Sequence, residues 1–410
     1  MKIFVVHNEY QEPGGEDTVF QQEVSLLSRF GHEVLTYQRS NLEIGHPSGL
    51  QQLSLLRQLV WAKDTRQDIF GILRREKPAI VHVHNTFTQI SPSVYAACAE
   101  AGVPVVQTLH NFRLLCPAAT FSRNGRVCED CATHSLWHGV SHGCYRNSRM
   151  STAAVAAMLT VHRRLHTWTE RIHHYIALTE FARQKFVSGG LPAEKISVKP
   201  NFVYPDPGQA SGKGEYAIFV GRLSGEKGLR TLLDAWSRLN NSVPLQIIGD
   251  GIMRTELEEQ AARSNLSSVY FCGRMKRDEA QKAIRSARFV VLPSECYENF
   301  PMAVAEGFAC GLPVICSRLG AMQEIVEDQR TGLHFIPNNS EDLAEKVAWA
   351  WAHPEQIRIM GKEAREEYQN KYTAERNYSM LMDIYHRTLE KSQWPQESTV
   401  PVDYAILNER

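Results

Sequence analysis

Two carboxylates, Glu298 and Glu306, stand eight positions apart in the stretch VVLPSECYENFPMAVAEGFACGLPVI, residues 290–315. Such a pair can serve as acid and base, or can accept hydrogen bonds from sugar hydroxyls, and the residues between them decide which. Phe289 to Leu292 is a short apolar run closed by Pro293 and Ser294, the pattern of a buried parallel strand. Pro301 suits the first position of a helix, where its missing N–H is no loss. An Ala-rich segment runs from Met302 to the Gly311–Pro313 stop, before a second apolar run from Val314 to Cys316. Together these predict a βαβ unit whose polar loop lies at the C-terminal end of a strand, where open α/β sheets hold ligands. The free N–H groups of the helix start suit a phosphate, and Glu306, about one turn further in, suits hydroxyls just beyond it.

A second group of residues fits the same chemistry. GRLSGEKG, Gly221 to Gly228, sits between an apolar strand and a helical pattern, so that Gly221 permits a tight exit and Arg222 and Lys227 place two cations at the strand end. Two such cations hold a diphosphate and stabilise its charge as it leaves. Taken alone, the segment reads equally as a solvated surface turn. A third group is Cys116, Cys128, Cys131 and Cys144, spaced C-x11-C-x2-C-x12-C in a loop-rich stretch with His134, His138 and His142 nearby. Four thiolates that include a C-x2-C suit a closed, tetrahedral structural zinc site; free cysteines, a redox pair and another metal are the alternatives. Cys98, Cys272, Cys296, Cys310 and Cys316 lie in apolar or helical contexts and read as core.

The elements that must position these residues alternate along the chain. Short apolar strands are predicted at Ile3–Val6, Val34–Tyr37, Ile80–His84, Val105–Leu109 and Tyr175–Ala177, then at Ala217–Val220, Leu245–Ile248, Val269–Cys272, Phe289–Leu292 and Val314–Cys316, with helical patterns between them. The stretch Tyr204 to Glu215, YPDPGQASGKGE, has the Pro, Gly and Ser content of a hinge. A chain of 410 residues is too long for one ordinary core. The expectation is an α/β protein of two doubly wound domains facing across a cleft. The domains would be 1–203, carrying a Cys-rich insert at 112–150, and 204–370, with a C-terminal helix and tail at 371–410 packing back on the first.

Composition narrows the partners. Lys plus Arg and Asp plus Glu are 45 each, so no net field draws the chain to nucleic acid. MKIFVV reads as a first strand rather than a secretion signal, no apolar run approaches a membrane span, and a cytoplasmic enzyme is expected. Tyr145 to His174 carries Arg146, Arg149, Arg163, Arg164 and Arg171 against Glu170, beside an apolar stripe with Met158, Leu159, Leu165 and Trp168. With Gly49 to Lys77 it has two readings: a helix that simply covers a sheet, or a basic amphipathic face giving peripheral contact with the inner face of a membrane or with a lipid-diphosphate acceptor.

GRLSGEKG, IIGDG at Ile247 to Gly251, FCGRM at Phe271 to Met275 and PSECYENFPMAVAE together resemble the family 4 glycosyltransferases of GT-B fold, and the similarity runs to about residue 370. The resemblance implies transfer of a sugar, with retention at the anomeric carbon, from a UDP- or GDP-sugar to a glycan or lipid-linked acceptor in polysaccharide biosynthesis. It implies that Arg222 and Lys227 bind the donor diphosphate, that Glu306 holds the ribose hydroxyls and that Glu298 contacts the donor sugar. The backbone from Phe300 through Pro301 and Met302 to Ala303 would cradle phosphate and sugar with its N–H groups, and the base would lie near Arg274 and Met275. His110, which ends the strand Val105–Leu109, matches the family's histidine near the donor sugar. Gly14 and Gly15 match its paired glycines near the donor phosphate, and Asn201 its Pro-Asn at the domain junction. The family usually has Gly where this chain has Asn299, so Asn299 is expected to bear on donor choice.

No Asp-x-Asp is present to hold a divalent ion on the diphosphate, and Arg222, Lys227 and the helix start supply positive charge in its place, so no catalytic cofactor is expected. Glycoside hydrolysis fits poorly, because its two carboxylates flank one bond whereas Glu298 and Glu306 flank a phosphate-ready helix start. A nucleotide-sugar epimerase on the same scaffold and an inactive sugar-nucleotide-binding protein are the remaining alternatives.

Overall fold

The computed structural model describes residues 1–11, 14–44, 50–210 and 214–392. Pro13 of the first loop, the Gly49 end of the basic stretch and the tail from residue 393 lie outside these residues. Among the described residues eight strands belong to the first half: β1 Lys2–Glu9, β2 Glu33–Ser40, β3 Ile80–Asn85, β4 Val105–Leu109, β5 Ser122–Arg123, β6 Arg126–Val127, β7 His174–Ala177 and β8 Ile196–Val198. Six belong to the second: β9 Ala217–Val220, β10 Leu245–Ile248, β11 Val269–Gly273, β12 Phe289–Leu292, β13 Val314–Ser317 and β14 Gly332–Phe335. They form two six-stranded parallel sheets, ordered β2-β1-β3-β4-β7-β8 and β11-β10-β9-β12-β13-β14, while β5 and β6 pair as a small antiparallel hairpin.

Both orders reverse direction once, between β1 and β3 in the first sheet and between β9 and β12 in the second. At such a switch point the loops leaving neighbouring strands diverge to opposite faces and open a crevice at the strand ends. Central strands such as β3, β4 and β12 are buried along their whole length, because helices cover both faces; β12 is accordingly an unbroken apolar run, while β3 and β4 also bury His82, His84, Gln107 and Thr108. β8 and β14 escape a periodicity reading because ISV is only three residues long and GLHF, though as long as β12, is too mixed in polarity to stand out from a loop.

The covering helices carry local start signals. Thr179 caps the helix Glu180–Ser188 by accepting from the Ala182 N–H, Ser148 caps Arg149–Arg164, and Thr373 caps Ala374–Lys391. The helix Leu229–Arg238 turns Leu229, Leu232, Leu233 and Trp236 into the second core. After the helix Pro354–Lys371 the chain returns to the first half: Leu381, Met382, Ile384 and Tyr385 of the last helix pack with Ile3, Val5, Val106 and Ile176.

The apolar stripe weighed as a membrane face is turned inward. Thr152, Val155, Ala156, Met158 and Leu159 of the helix Arg149–Arg164 are buried, and Trp168 joins them in the first core. The stripe therefore covers a sheet, and nothing in the structure supports the membrane-face alternative. Among the described residues no helix is long and apolar enough to cross a membrane.

Candidate functional site

The second sheet's switch point brings the two predicted segments of that half together. Gly221–Gly228 leaves β9 and Pro293–Asn299 leaves β12, adjacent strands in register from Phe289↔Ala217. Gly228 fits this junction for a steric reason: its φ is +69°, and a Cβ there would lie 1.9 Å from the Pro293 carbonyl oxygen. With the loops so close, Lys227 Nζ stands 2.6 Å from Glu298 Oε1, and Ser294 Oγ donates to the same oxygen at 2.7 Å. Burial opposes the charge on Glu298, but Lys227, Ser294 and Arg222 outweigh it and hold the carboxyl below its usual range; Lys227 is raised in turn by Glu298. Glu298 is thus an ionised acceptor, unsuited to donating a proton. Arg222 is exposed at the same mouth.

The helix Met302–Ala309 begins beside this pair without a side-chain cap, so the N–H groups of Met302 and Ala303 are available to an anion, while that of Val304 donates to the Pro301 oxygen at 3.0 Å. Pro301 is the residue before the helix, extended at φ −73° and ψ 109°, rather than its first turn as the sequence suggested. Phe300 and Ala303 are buried, while Met302 and Glu306 are half-buried. Burial raises the Glu306 carboxyl and Arg277 opposes that rise. Arg274, after β11, is exposed and Met275 packs on the second core.

The first half faces these loops directly. Gly15 opens the helix Gly15–Arg29, and a Cβ added to it would sit 3.6 Å from Met302 Cγ, so the first loop abuts the start of the opposite domain's helix. The Gly14 N–H donates to Asp17 Oδ2 at 2.6 Å. Asn299, expected to bear on donor choice, has its Nδ2 donating to the Leu109 carbonyl oxygen, one residue before His110, and its own carbonyl accepting from Thr179 Oγ1 at 3.4 Å. It ties the two domains together at the floor of the cleft. Its Oδ1 is buried with no partner among the described residues. Asn201 is also buried, where the chain leaves β8 for the second domain.

His110 is the half-buried end of a polar column that sequence inspection did not find. His110 Nε2 lies 2.9 Å from His84 Nδ1, and His84 Nε2 lies 3.2 Å from Glu23 Oε1. Glu23 also meets His82 Nδ1 at 3.0 Å and Lys199 Nζ at 2.9 Å, and Lys199 donates to Asn377 Oδ1 of the last helix at 3.1 Å. Burial lowers His110 well below the ordinary histidine value and takes His84 to about 3, so both rings are neutral near pH 7. Glu23 stays ionised against burial through Lys199 and His82. Glu23, His82 and His84 have ligand atoms within 4.8 Å of one another, a span a metal ion could use. The Lys199 ammonium already supplies the countercharge there, and burying a metal beside it would set two cations together. The one sequence signal for this column is the spacing HVH in β3, read as strand alone.

A second cluster extends the first wall. Glu16 accepts from Asn85 Nδ2 at 3.0 Å and from Asn111 Nδ2 at 3.3 Å, and Asn111 also donates to Tyr10 OH at 3.2 Å. Burial, then the neighbouring Asp17 charge, pushes the Glu16 carboxyl up to about 8. A protonated carboxyl beside Asn111 gives this wall a hydrogen-bond donor as well as acceptors.

Comparison with known proteins divides the chain at the same place as the two sheets. Residues 204–367 match the model of Glycosyl transferases group 1, and residues 13–206 match that of Glycosyltransferase Family 4. An uncharacterized glycosyltransferase of Methanocaldococcus jannaschii is 32% identical over 42% of this chain and 48% of its own length. A D-rhamnosyltransferase of Pseudomonas aeruginosa is 32% identical over 39% of this chain and 42% of its own. The chain thus spans less than half the length of these two relatives. An alpha-D-kanosaminyltransferase of Streptomyces kanamyceticus is 25% identical over 80% of the chain and 81% of its own length. Among solved structures, Anabaena HepE in complex with UDP superposes with a TM-score of 0.68 at 18% identity, over 94% of this chain and all of that one. That likeness establishes the GT-B fold.

Proposed function

The chain belongs to the family 4 glycosyltransferases, and from that premise we propose that it moves a sugar from a nucleotide-diphosphate donor to a glycan or lipid-linked acceptor in polysaccharide assembly. We take the donor to be a UDP- or GDP-sugar, the stereochemistry to be retained, and the reaction to need no catalytic metal. Matches to glycosyl transferases over both halves weigh against an epimerase. The observation that carries the proposal is the Lys227–Glu298 pair at the mouth of an uncapped helix, facing Gly15 and His110 across the cleft.

In this mechanism Arg222, Lys227 and the first-turn N–H groups of Met302 and Ala303 hold the diphosphate and stabilise the charge that grows as it leaves. Lys227 turns from Glu298 to phosphate, and Glu298 is released to accept from hydroxyls of the donor sugar. Glu306 accepts from the ribose, and its half-buried carboxylate gains hydrogen bonds that offset its desolvation. His110 receives a sugar hydroxyl on the opposite wall. The bond from anomeric carbon to phosphate oxygen breaks, the acceptor oxygen bonds to that carbon on the same face, and the departing phosphate oxygen takes the acceptor's proton.

A thermal-shift screen of UDP, GDP and their sugar conjugates tests this directly. One nucleotide should raise the melting temperature, since a ligand that favours the folded state stabilises it, and Glu306→Ala should weaken that nucleotide by about tenfold to a hundredfold. No stabilisation by any nucleotide sugar, together with no transfer to saccharide acceptors, would overturn the proposal.

A further inference from the structure

The segment between β4 and the helix Arg149–Arg164 contains little regular structure beyond the hairpin β5–β6 and short helical turns at Asp130–Thr133 and Trp137–His142, yet it converges on one point. Gly139 marks that point. A Cβ placed on it would lie 3.1 Å from Cys131 Sγ and 3.4 Å from Cγ of Pro117, the neighbour of Cys116, and the Cys144 N–H donates to its carbonyl oxygen at 3.1 Å. Cys128 follows the hairpin, where its N–H donates to the Phe121 oxygen at 2.8 Å. Cys131 is within electrostatic reach of Cys116, Cys128 and Cys144, and Cys144 of Cys116 and Cys128. All four are free thiols rather than disulfides.

Backbone N–H groups approach three of the sulfurs: that of Asp130 at Cys128, inside the C-x2-C turn, that of Gly139 at Cys131, and that of Cys144 at its own sulfur. Four sulfurs with such donors around them suit a soft divalent cation that takes thiolate ligands. Among the described residues no three of these sulfurs lie within 4.8 Å of one another, so an entering ion draws them in from a loose arrangement.

The same insert reaches the other domain. Tyr297 OH donates to Glu129 Oε1 at 2.8 Å, Asn338 Nδ2 donates to the Gly125 oxygen at 3.2 Å, and a Cβ on Gly125 would stand 3.3 Å from Glu295 Oε2. Glu129 lies between Cys128 and Cys131, and Tyr297 adjoins Glu298.

We propose that Cys116, Cys128, Cys131 and Cys144 bind one zinc ion as four thiolates, and that this ion fixes the strap by which the first domain holds the Glu298 loop. Zinc favours tetrahedral sulfur, and a segment with so little helix or sheet gains its order from the metal. The proposal stands apart from the donor assignment.

The test uses the full chain as purified. Elemental analysis should find about one zinc per chain, and a thiol-blocking mercurial added with a chromophoric chelator should release that zinc as four thiols react. Cobalt replacing zinc should show the thiolate-to-cobalt absorption of a tetrahedral sulfur site. Cys128→Ser should lose the metal and Cys272→Ser, outside the cluster, should keep it; the mercurial titration decides the case even where Cys128→Ser fails to fold. A folded chain without zinc and with all four thiols freely reactive overturns the proposal. So does zinc that survives Cys128→Ser and is lost in Glu23→Gln, which would place the ion in the histidine column.

Discussion

His110 Nε2 and His84 Nδ1 stand 2.9 Å apart, and this contact sets the chemical face that His110 shows to the cleft. Both rings are neutral, so each carries one N–H. The ionised Glu23 faces His84 Nε2 and favours the proton there, which makes His84 Nδ1 an acceptor and His110 Nε2 a donor. The assignment comes from heavy-atom positions, and it leaves His110 Nδ1 with a lone pair for a substrate hydroxyl.

His84→Leu should therefore reduce turnover by about tenfold, the worth of one neutral hydrogen bond with its orientation, while the donor KM stays nearly constant. Steady-state kinetics read the split. An unchanged kcat would show that His84 only fills space.

Lys227→Ala removes the partner of Glu298 and, on the proposed mechanism, a cation from the leaving diphosphate. Turnover should fall by roughly 10²- to 10³-fold, as when other groups that stabilise developing charge are removed. Wild-type kcat in this variant would refute the role given to Lys227.

Gly228→Ala forces a Cβ into the Pro293 carbonyl at a left-handed backbone position. A cost of about 1–3 kcal/mol is expected from overpacking and strain, seen as a lower melting temperature. A melting curve that matched the wild type would mean that the two loops separate easily.

Glu16 makes stability depend on pH. Its folded value, about 8, lies above the ordinary 4.5, so the folded state binds the proton more tightly. The stabilisation is fully present below the ordinary value and is lost as pH rises through about 8. Melting temperature should fall between pH 6 and pH 9, and Glu16→Gln should flatten that fall. An equally steep decline in the variant would trace the effect to another group.

Much of the second half was legible in the sequence because its chemistry is local. The apolar runs of β9, β10 and β12 give their strands residue for residue, since buried parallel strands need continuous apolar side chains. Gly221–Gly228 and Pro293–Ala303 carry their turn and helix-start signals within a few residues. β8 and β14 were not legible, because short strands depend on the sheet edge they join rather than on their own pattern.

What the sequence by itself determined is the residue inventory of the cleft: two cations, two carboxylates, a helix start open to anions, and the strand ends that present them. Tertiary structure alone decided the pairings. Lys227 and Glu298 are 71 residues apart and meet only because β9 and β12 are neighbours at the switch point. Asn299 turns to the Leu109 carbonyl because the opposite domain offers an acceptor there. Glu23, His84 and Lys199 carry no joint pattern along the chain, since one comes from a helix, one from β3 and one from the turn after β8. Their shared burial and opposing charges make them a column, and burial belongs to the fold.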